Sequence, residues 1–316
     1  MHQIEAKIYN FLHNRLKDYK ILEHLLAKFG EESKAALKAQ FEREPRDFRL
    51  SMSMIGRPIC ILQWEQSGIQ GESTDNAIRF LYGELCEDIV IFLLHASGIP
   101  IISEQEEVEL DIDGYTLKGR LDIVTNIDGI EEVWDIKSAS AWAFKNKFTN
   151  FEQLVEGDSF GYISQLFLYA EARGCKPGGF IVFDKSSGEI NVLKIPEEQR
   201  EYYRERTLKD AAKKIATLFR LKLCSMDDLN ETEMGLSISA NNSDKLEGVN
   251  IDRQFSPVEE VFRKRPTGNL VLTNECSMCP HKWNCWKGLQ LLPQAKSNAK
   301  IPKMVYYVKY EGESNV

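Results

Sequence analysis

The stretch Leu121-Asp122-Ile123-Val124-Thr125-Asn126-Ile127-Asp128-Gly129-Ile130-Glu131-Glu132-Val133-Trp134-Asp135-Ile136-Lys137 decides the fold. Asp128-Gly129, flanked by alternating residues, signals a two-residue hairpin loop. With that loop Ile127 faces Ile130, and counting back along both strands brings Asp122 directly opposite Asp135. Their Cβ atoms would lie about 4.5–5.5 Å apart. Side chains alternate across a strand, so Lys137 joins both aspartates, Val124 and Val133 on one face. Leu121, Ile123, Trp134 and Ile136 line the other face, which reads as core.

Like charges opposed across a sheet destabilise it unless something neutralises them. A divalent cation does so, and carboxylate oxygens suit Mg²⁺ or Mn²⁺. Lys137 then gains a role, orienting or helping to deprotonate a water that attacks a phosphodiester. The rival reading is a solvated hairpin face on which Lys137 merely bridges two acids.

Outward from the hairpin, the chain reads as α-β-β-β-α-β. A helix spans about residues 75–97, with Ser73-Thr74-Asp75 as cap candidates and Gly98 and Pro100 at its end. Strands are expected at 102–112, 115–126 and 130–137, the first two joined by Asp113-Gly114. A helix over 158–173 leads into strands at 180–184 and 189–195, and Pro196 opens a charged helix to about Leu223. The predicted fold class is α/β: a mixed central sheet flanked by helices, with an N-terminal helical arm and a C-terminal cysteine-bearing tail. The expected divisions are a helical region at 1–56, the α/β core at 57–224, an acidic loop or insertion at 225–260 and a basic tail at 261–316.

Two flanking helices offer partners for the aspartates. In the first, Glu84, Glu87 and Asp88 interrupt an apolar stretch, and a buried acid without a partner is costly. In the second, Tyr162, Gln165 and Tyr169 share one face.

Composition excludes several classes. Among 316 residues, 43% are hydrophobic and 28% charged, an ordinary globular balance. The longest apolar run, Ile89 to Leu94, is far short of a membrane span. The start lacks the pattern of a signal peptide, so a cytoplasmic protein of a bacterial or phage-infected cell is expected. A net charge of −8 rules out a uniformly basic nucleic-acid coat. Seven cysteines in such a compartment suggest metal rather than disulfides. Cys276, Cys279 and Cys285 are clustered, whereas Cys60, Cys86, Cys175 and Cys224 are scattered. The cluster needs a fourth ligand: adjacent His281 would complete a zinc knuckle, and Cys60 is the alternative.

The order Gly83-x-x-x-Glu87, Asp122, Asp135-Ile136-Lys137, Gln165-x-x-x-Tyr169 resembles the PD-(D/E)xK nuclease superfamily in its RecB-like branch. The resemblance covers about Arg57 to Ile195 plus the cysteine tail. It implies a restriction-endonuclease-like core and metal-dependent DNA cleavage, as in exonucleases of recombination, repair or phage DNA processing. Glu87, Asp122 and Asp135 would hold Mg²⁺ or Mn²⁺, Lys137 would be the catalytic lysine, and Gln165 and Tyr169 would line the DNA site. The chain departs from the pattern at Leu121, where the family has its proline, and at Asp135, where Glu is frequent. Many relatives carry histidine in the first motif, which leaves Glu84 a rival of Glu87.

One cysteine ahead of the core and a C-x2-C-x5-C group after it is similar to iron–sulfur-bearing members of that branch. By that resemblance Cys60, Cys276, Cys279 and Cys285 hold a [4Fe-4S] cluster, in preference to zinc, and tie the chain's two ends together. Cys86, Cys175 and Cys224 are then ordinary buried thiols.

DNA contact requires Lys and Arg at phosphates. Candidates are Lys145 and Lys147, and the tail's Trp283 and Trp286 beside Lys282 and Lys287, although both tryptophans read more readily as packing on the cluster. The basic turns between Arg200 and Arg220 read as solvated surface. A separate helicase or recombination protein is the expected partner, since no Walker A loop occurs here. A non-catalytic DNA-binding or adaptor subunit is the rival from another class.

Overall fold

The computed structural model describes residues 1–14, 22–42, 47–69, 71–72, 77–219, 243–246 and 249–311. Two helices come first, α1 (Gln3–Asn14) and α2 (Leu22–Phe41), then a 3-10 turn at Met52–Met54, α3 (Ile59–Gln66) and α4 (Ala77–Ala96). Five strands follow: β1 (Ile101–Glu104), β2 (Glu107–Ile112), β3 (Tyr115–Arg120), β4 (Ile123–Ile127) and β5 (Ile130–Ala139). Helices α5 (Ala141–Asn146), α6 (Phe151–Gly157) and α7 (Tyr162–Arg173) lead to β6 (Lys176–Asp184), β7 (Ile190–Lys194) and α8 (Arg200–Phe219). The remainder holds β8 (Ser243–Leu246), β9 (Val249–Asp252), β10 (Val258–Phe262), β11 (Arg265–Val271), α9 (Asn274–Met278), α10 (Lys282–Cys285), β12 (Gln290–Pro293) and β13 (Met304–Lys309).

These elements form two compact units. The first comprises residues 1–46, 50–56 and 75–224, the second 47–49, 57–74 and 225–316. Residues 57–74 thus belong with the C-terminal residues rather than with the central α/β core, where the sequence division had placed them.

The first unit is an α/β structure around a mixed five-stranded sheet in the order β1-β4-β5-β6-β7, with only the β5–β6 pair parallel. Asp128 and Gly129 have φ of 55° and 79°. That is the conformation of a primed two-residue turn, and the pairing it sets is the expected one, Ile127 with Ile130 through to Ile123 with Trp134. One sheet face is apolar, with Ile123, Trp134, Ile136 and Ile181 packed against Ile4 and Ile8 of α1 and Val90, Ile91 and Leu94 of α4. α7 packs against β5 and β6.

The two long strands expected at 102–112 and 115–126 are each broken in two. Gln105 turns the chain with φ of 49°, and Leu121 and Asp122 fall between β3 and β4. The breaks match: Gln105 N donates to Asp122 O and Leu121 N to Glu106 O. The Asp113-Gly114 hairpin, β2–β3, therefore forms its own two-stranded ladder, while β1 and β4 join the central sheet.

The helix expected at 158–173 starts four residues later, at Tyr162, and a short helix that was not expected, α6, precedes it. Asp158 ends α6 and its carboxylate accepts N–H bonds from Gly161, Tyr162 and Ile163, starting α7 afresh. Gly161 has φ of +78°, and a Cβ there would sit 2.2 Å from Cα of Gly56. Only glycine meets both demands.

The second unit corrects the reading of its sequence as loop and tail. Its described residues contain the β8–β9 hairpin and a four-stranded antiparallel sheet, β10-β11-β13-β12. A core of Trp64, Ile251 and Cys285 packs with Cys60, Ile69 and Trp286. Most of the acidic stretch expected as an insertion, together with the cap candidates Ser73-Thr74-Asp75 and Cys224, lies outside the described residues.

Candidate active site and cysteine centre

In the first unit Asp135 lies mid-β5 and is completely buried, so the solvated-face reading of the hairpin fails. Lys137 Nζ is 2.5 Å from Asp135 Oδ2, a close ion pair that lowers the cost of burying the carboxylate. The other oxygen, Oδ1, is buried without a donor among the described residues. Asp122 stands one residue ahead of β4 rather than in the ladder. Its Oδ2 reaches across to accept the N–H of Ile136 at 2.6 Å.

Glu87, on α4, accepts a hydrogen bond from Gln105 Nε2. Its electrostatic neighbours include Asp122, Lys137 and Asp135, whereas Glu84, one turn earlier, acts on Asp88. The structure thus draws Glu87 into the cluster, although Glu84 also carries a buried Oε2 with no partner. Gln105 was not foreseen. Its placement follows from the strand break it creates, and a single polar residue in an expected strand gives no signal of that.

Burial and then repulsion from Asp122 push Glu87 up to about 8. Burial, partly offset by Lys137, pushes Asp135 up to about 7, and burial also raises Asp122. Burial works against the Lys137 ammonium, but Asp135 and Asp122 outweigh it and hold its pKa above the usual value. Three acids crowd Lys137, with Arg120 acting on Asp122 as well, and their raised pKa values record a cost of ionising that an added cation would relieve.

On α7, Gln165 Nε2 donates to Tyr169 Oη at 3.0 Å. Burial and the nearby aspartates raise the Tyr169 phenol above its usual range. Gly119 makes room for that ring, since a Cβ there would sit 2.5 Å from Tyr169 Cε1. Tyr162, from the same helix face, lies under Lys137, whose Nζ is 5.1 Å from the ring centre. All five residues expected at the site, with Glu87, therefore belong to one neighbourhood. The donor set of three carboxylates, one with an orphaned oxygen, fits a hard divalent cation. Among the described residues, no three His, Cys, Asp or Glu side chains already converge on the position of a single ion.

In the second unit Cys60, Cys276, Cys279 and Cys285 line one largely apolar cavity with Pro58, Ile61, Phe255 and Trp286. α3 carries Cys60. Cys276 lies in α9, capped by Thr273, Cys279 follows it, and Cys285 ends α10. N–H groups point at the sulfurs: Trp64 Nε1 donates to Cys285 Sγ at 3.0 Å and His281 N to Cys279 Sγ at 3.4 Å. Burial pushes the Cys60 thiol up to about 11 and Cys279 to about 12, and raises Cys276 and Cys285. Four soft donors around a largely apolar cavity fit a thiolate-ligated metal centre, whose binding would release these protons. His281, the zinc-knuckle candidate, instead stacks on Trp64 at 5.9 Å, and Cys60 takes the fourth position around the cavity.

Of the remaining thiols, Cys86 is buried but Cys175 is partly exposed. Trp286 lines the cysteine cavity, whereas Trp283 packs edge-on against Tyr306 at 5.8 Å. Lys282 is buried and paired with Glu72, so it is not a free phosphate contact. α8 is not a plain solvated face: Arg200 bonds Glu132 at 2.9 Å and Arg204 bonds Glu171 at 2.5 and 2.8 Å. Among the described residues no helix is long and apolar enough to cross a membrane.

No family model matches the chain, and no curated protein does. Among solved structures it is similar to one described as the crystal structure of SSO0001, at 14% identity and a TM-score of 0.37, over 60% of this chain and 85% of that one.

Proposed function

We propose that the protein is a divalent-metal-dependent deoxyribonuclease of the RecB-like PD-(D/E)xK kind, an exonuclease of recombination, repair or phage DNA processing. The observation that carries this reading is the set of Glu87, Asp122, Asp135 and Lys137 gathered around the fully buried Asp135, whose Oδ1 has no donor. Structural ion pairs are arranged to satisfy their members, whereas this set keeps a deficit that a cation and a phosphate would fill.

Glu87, Asp122 and Asp135 would hold Mg²⁺ or Mn²⁺, which supplies Lewis-acid stabilisation of charge on the phosphodiester oxygens. Lys137, kept protonated by the aspartates, orients the attacking water and steadies the developing negative charge. The phenol of Tyr169, held by Gln165, closes the site beside Asp135 and guides the strand. The cysteine quartet of the second unit would hold a [4Fe-4S] cluster with a structural role. Any DNA-unwinding motor is a separate partner.

The test joins binding to chemistry. Mn²⁺ binding followed by electron paramagnetic resonance should be saturable in the wild type and lost in Asp122→Asn and Asp135→Asn. DNA hydrolysis should require the same metal. A folded protein that binds no Mn²⁺ and cuts no DNA would instead support a non-catalytic DNA-binding subunit.

A further inference from the structure

The geometry points to a second phosphate subsite in the same unit: Lys147, held by Phe148, Phe160 and Tyr162, takes the phosphate of a nucleic-acid strand neighbouring the one engaged at Lys137. This inference rests on the nuclease reading and names a substrate-positioning residue for it.

Lys147 follows α5 directly and is only 8% exposed. Its ammonium lies 4.5 Å from the ring centre of Tyr162, 5.2 Å from Phe160 and 5.7 Å from Phe148. Aromatic faces attract a cation and fix its place, but they do not neutralise it. The acid that acts on Lys147 is Asp158. Asp158 spends Oδ1 on the N–H groups of Gly161 and Tyr162 and Oδ2 on that of Ile163. Among the described residues no carboxylate pairs directly with Lys147; the charge of Asp158 reaches it only from a side chain already fixed by backbone N–H groups. Burial lowers its pKa, with Asp158 opposing, and an arriving phosphate would relieve that cost.

Tyr162 connects the two lysines. Its ring is 5.1 Å from Lys137 Nζ and 4.5 Å from Lys147 Nζ, so both ammonium groups are referred to one rigid surface on α7. Lys145, the other basic residue after β5, is exposed and has no such enclosure. A cation already fixed in place loses little entropy when it meets a phosphate, and that is the profile of a positioning contact. Phe160, 58% exposed, forms the outer wall where the strand would enter.

A salt titration separates this role from simple packing. Binding of a fluorescent single-stranded oligonucleotide to the intact protein is measured by anisotropy in EDTA at several salt concentrations. Each neutralised phosphate contributes about 0.7 to the slope of log affinity against log salt for single strands. Lys147→Met should weaken binding roughly five- to tenfold and lower that slope by about 0.7, with Lys147→Arg restoring the slope. In steady-state cleavage KM should rise while kcat stays within about twofold, as loss of uniform binding requires. Lys147→Gln, read in the same way, serves should the Met variant misfold. Wild-type affinity and slope in the neutral variants would discard the subsite and leave the nuclease reading intact. No binding and no cleavage by the wild type would remove both.

Discussion

Asp135 shows how much one residue can carry. A carboxylate in the middle of a central strand, fully buried and with one oxygen that no donor meets, costs free energy that packing alone would not retain. Among the described residues the cation that acts on it is Lys137, which it shares with Asp122. Lys137→Met should therefore lower DNA cleavage by about 10²–10³-fold or more, while the melting temperature moves by only a few degrees. Wild-type cleavage in that variant would remove the lysine from the chemistry. Asp122 makes a complementary point about reading sequences. Strand alternation placed it beside Asp135, and it is beside Asp135, but through a side chain reaching the N–H of Ile136 rather than through a cross-strand pair.

At the scale of elements, the hairpins with Asp-Gly loops were readable because those residues tolerate positive φ. Where other residues adopt the same geometry, the signal vanished. Gln105 broke one expected strand at φ of 49°, and Arg263 and Lys264, at 49° and 65°, form the turn between β10 and β11. A basic pair gives no hint of a hairpin, so the second sheet went unseen. Gly161 was equally silent in the sequence, because its close approach to Gly56 spans more than a hundred residues. Gly161→Ala should cost roughly 2–4 kcal/mol in chemical denaturation, from the positive φ and the overlap with Gly56 together. An unchanged midpoint would mean that this approach is not tight.

The new sheet carries its own buried acid. Glu260 accepts hydrogen bonds from Asn269 at 2.9 Å, Thr267 at 2.8 Å and Tyr307 at 2.8 Å. Burial alone would raise its pKa, but these donors outweigh it and hold it below the usual glutamate value. The native state thus binds its proton more weakly than the unfolded chain does. The stabilisation is present above the unfolded value, about 4.3, and is lost as pH falls through the native one. Glu260→Gln should destabilise the second unit by about 1–3 kcal/mol at neutral pH, with the difference shrinking in acid. A pH-independent difference would show that shape rather than charge is at stake.

Across the whole molecule, chemistry is divided between two units, each with its own donor set. The clustered carboxylates sit around the mixed sheet, and the four cysteines that line one cavity sit in the second unit with residues 57–74. The sequence resemblance named all four cysteines, but spacing alone left His281 and Cys60 as equals. Stacking on Trp64 engages His281, and a helix from a distant part of the chain delivers Cys60. Protein purified without oxygen should be brown, with about four iron atoms per chain, and Cys60→Ser should lose that iron and its visible absorption. A colourless protein holding one zinc, unaffected by Cys60→Ser, would replace the cluster. The net charge of −8 is compatible with the proposed DNA binding, because the acids at the site would serve as the metal's ligands and phosphate contacts need only be local.

The most direct test of the central claim is hydrolysis of end-labelled single- and double-stranded DNA by anaerobically purified protein, with Mg²⁺ or Mn²⁺ against EDTA and with Asp135→Ala in parallel. The account predicts a metal-dependent product ladder, abolished by EDTA and absent in the variant. Cleavage that persists in Asp135→Ala, or a folded, metal-loaded protein that leaves every substrate intact, would contradict it.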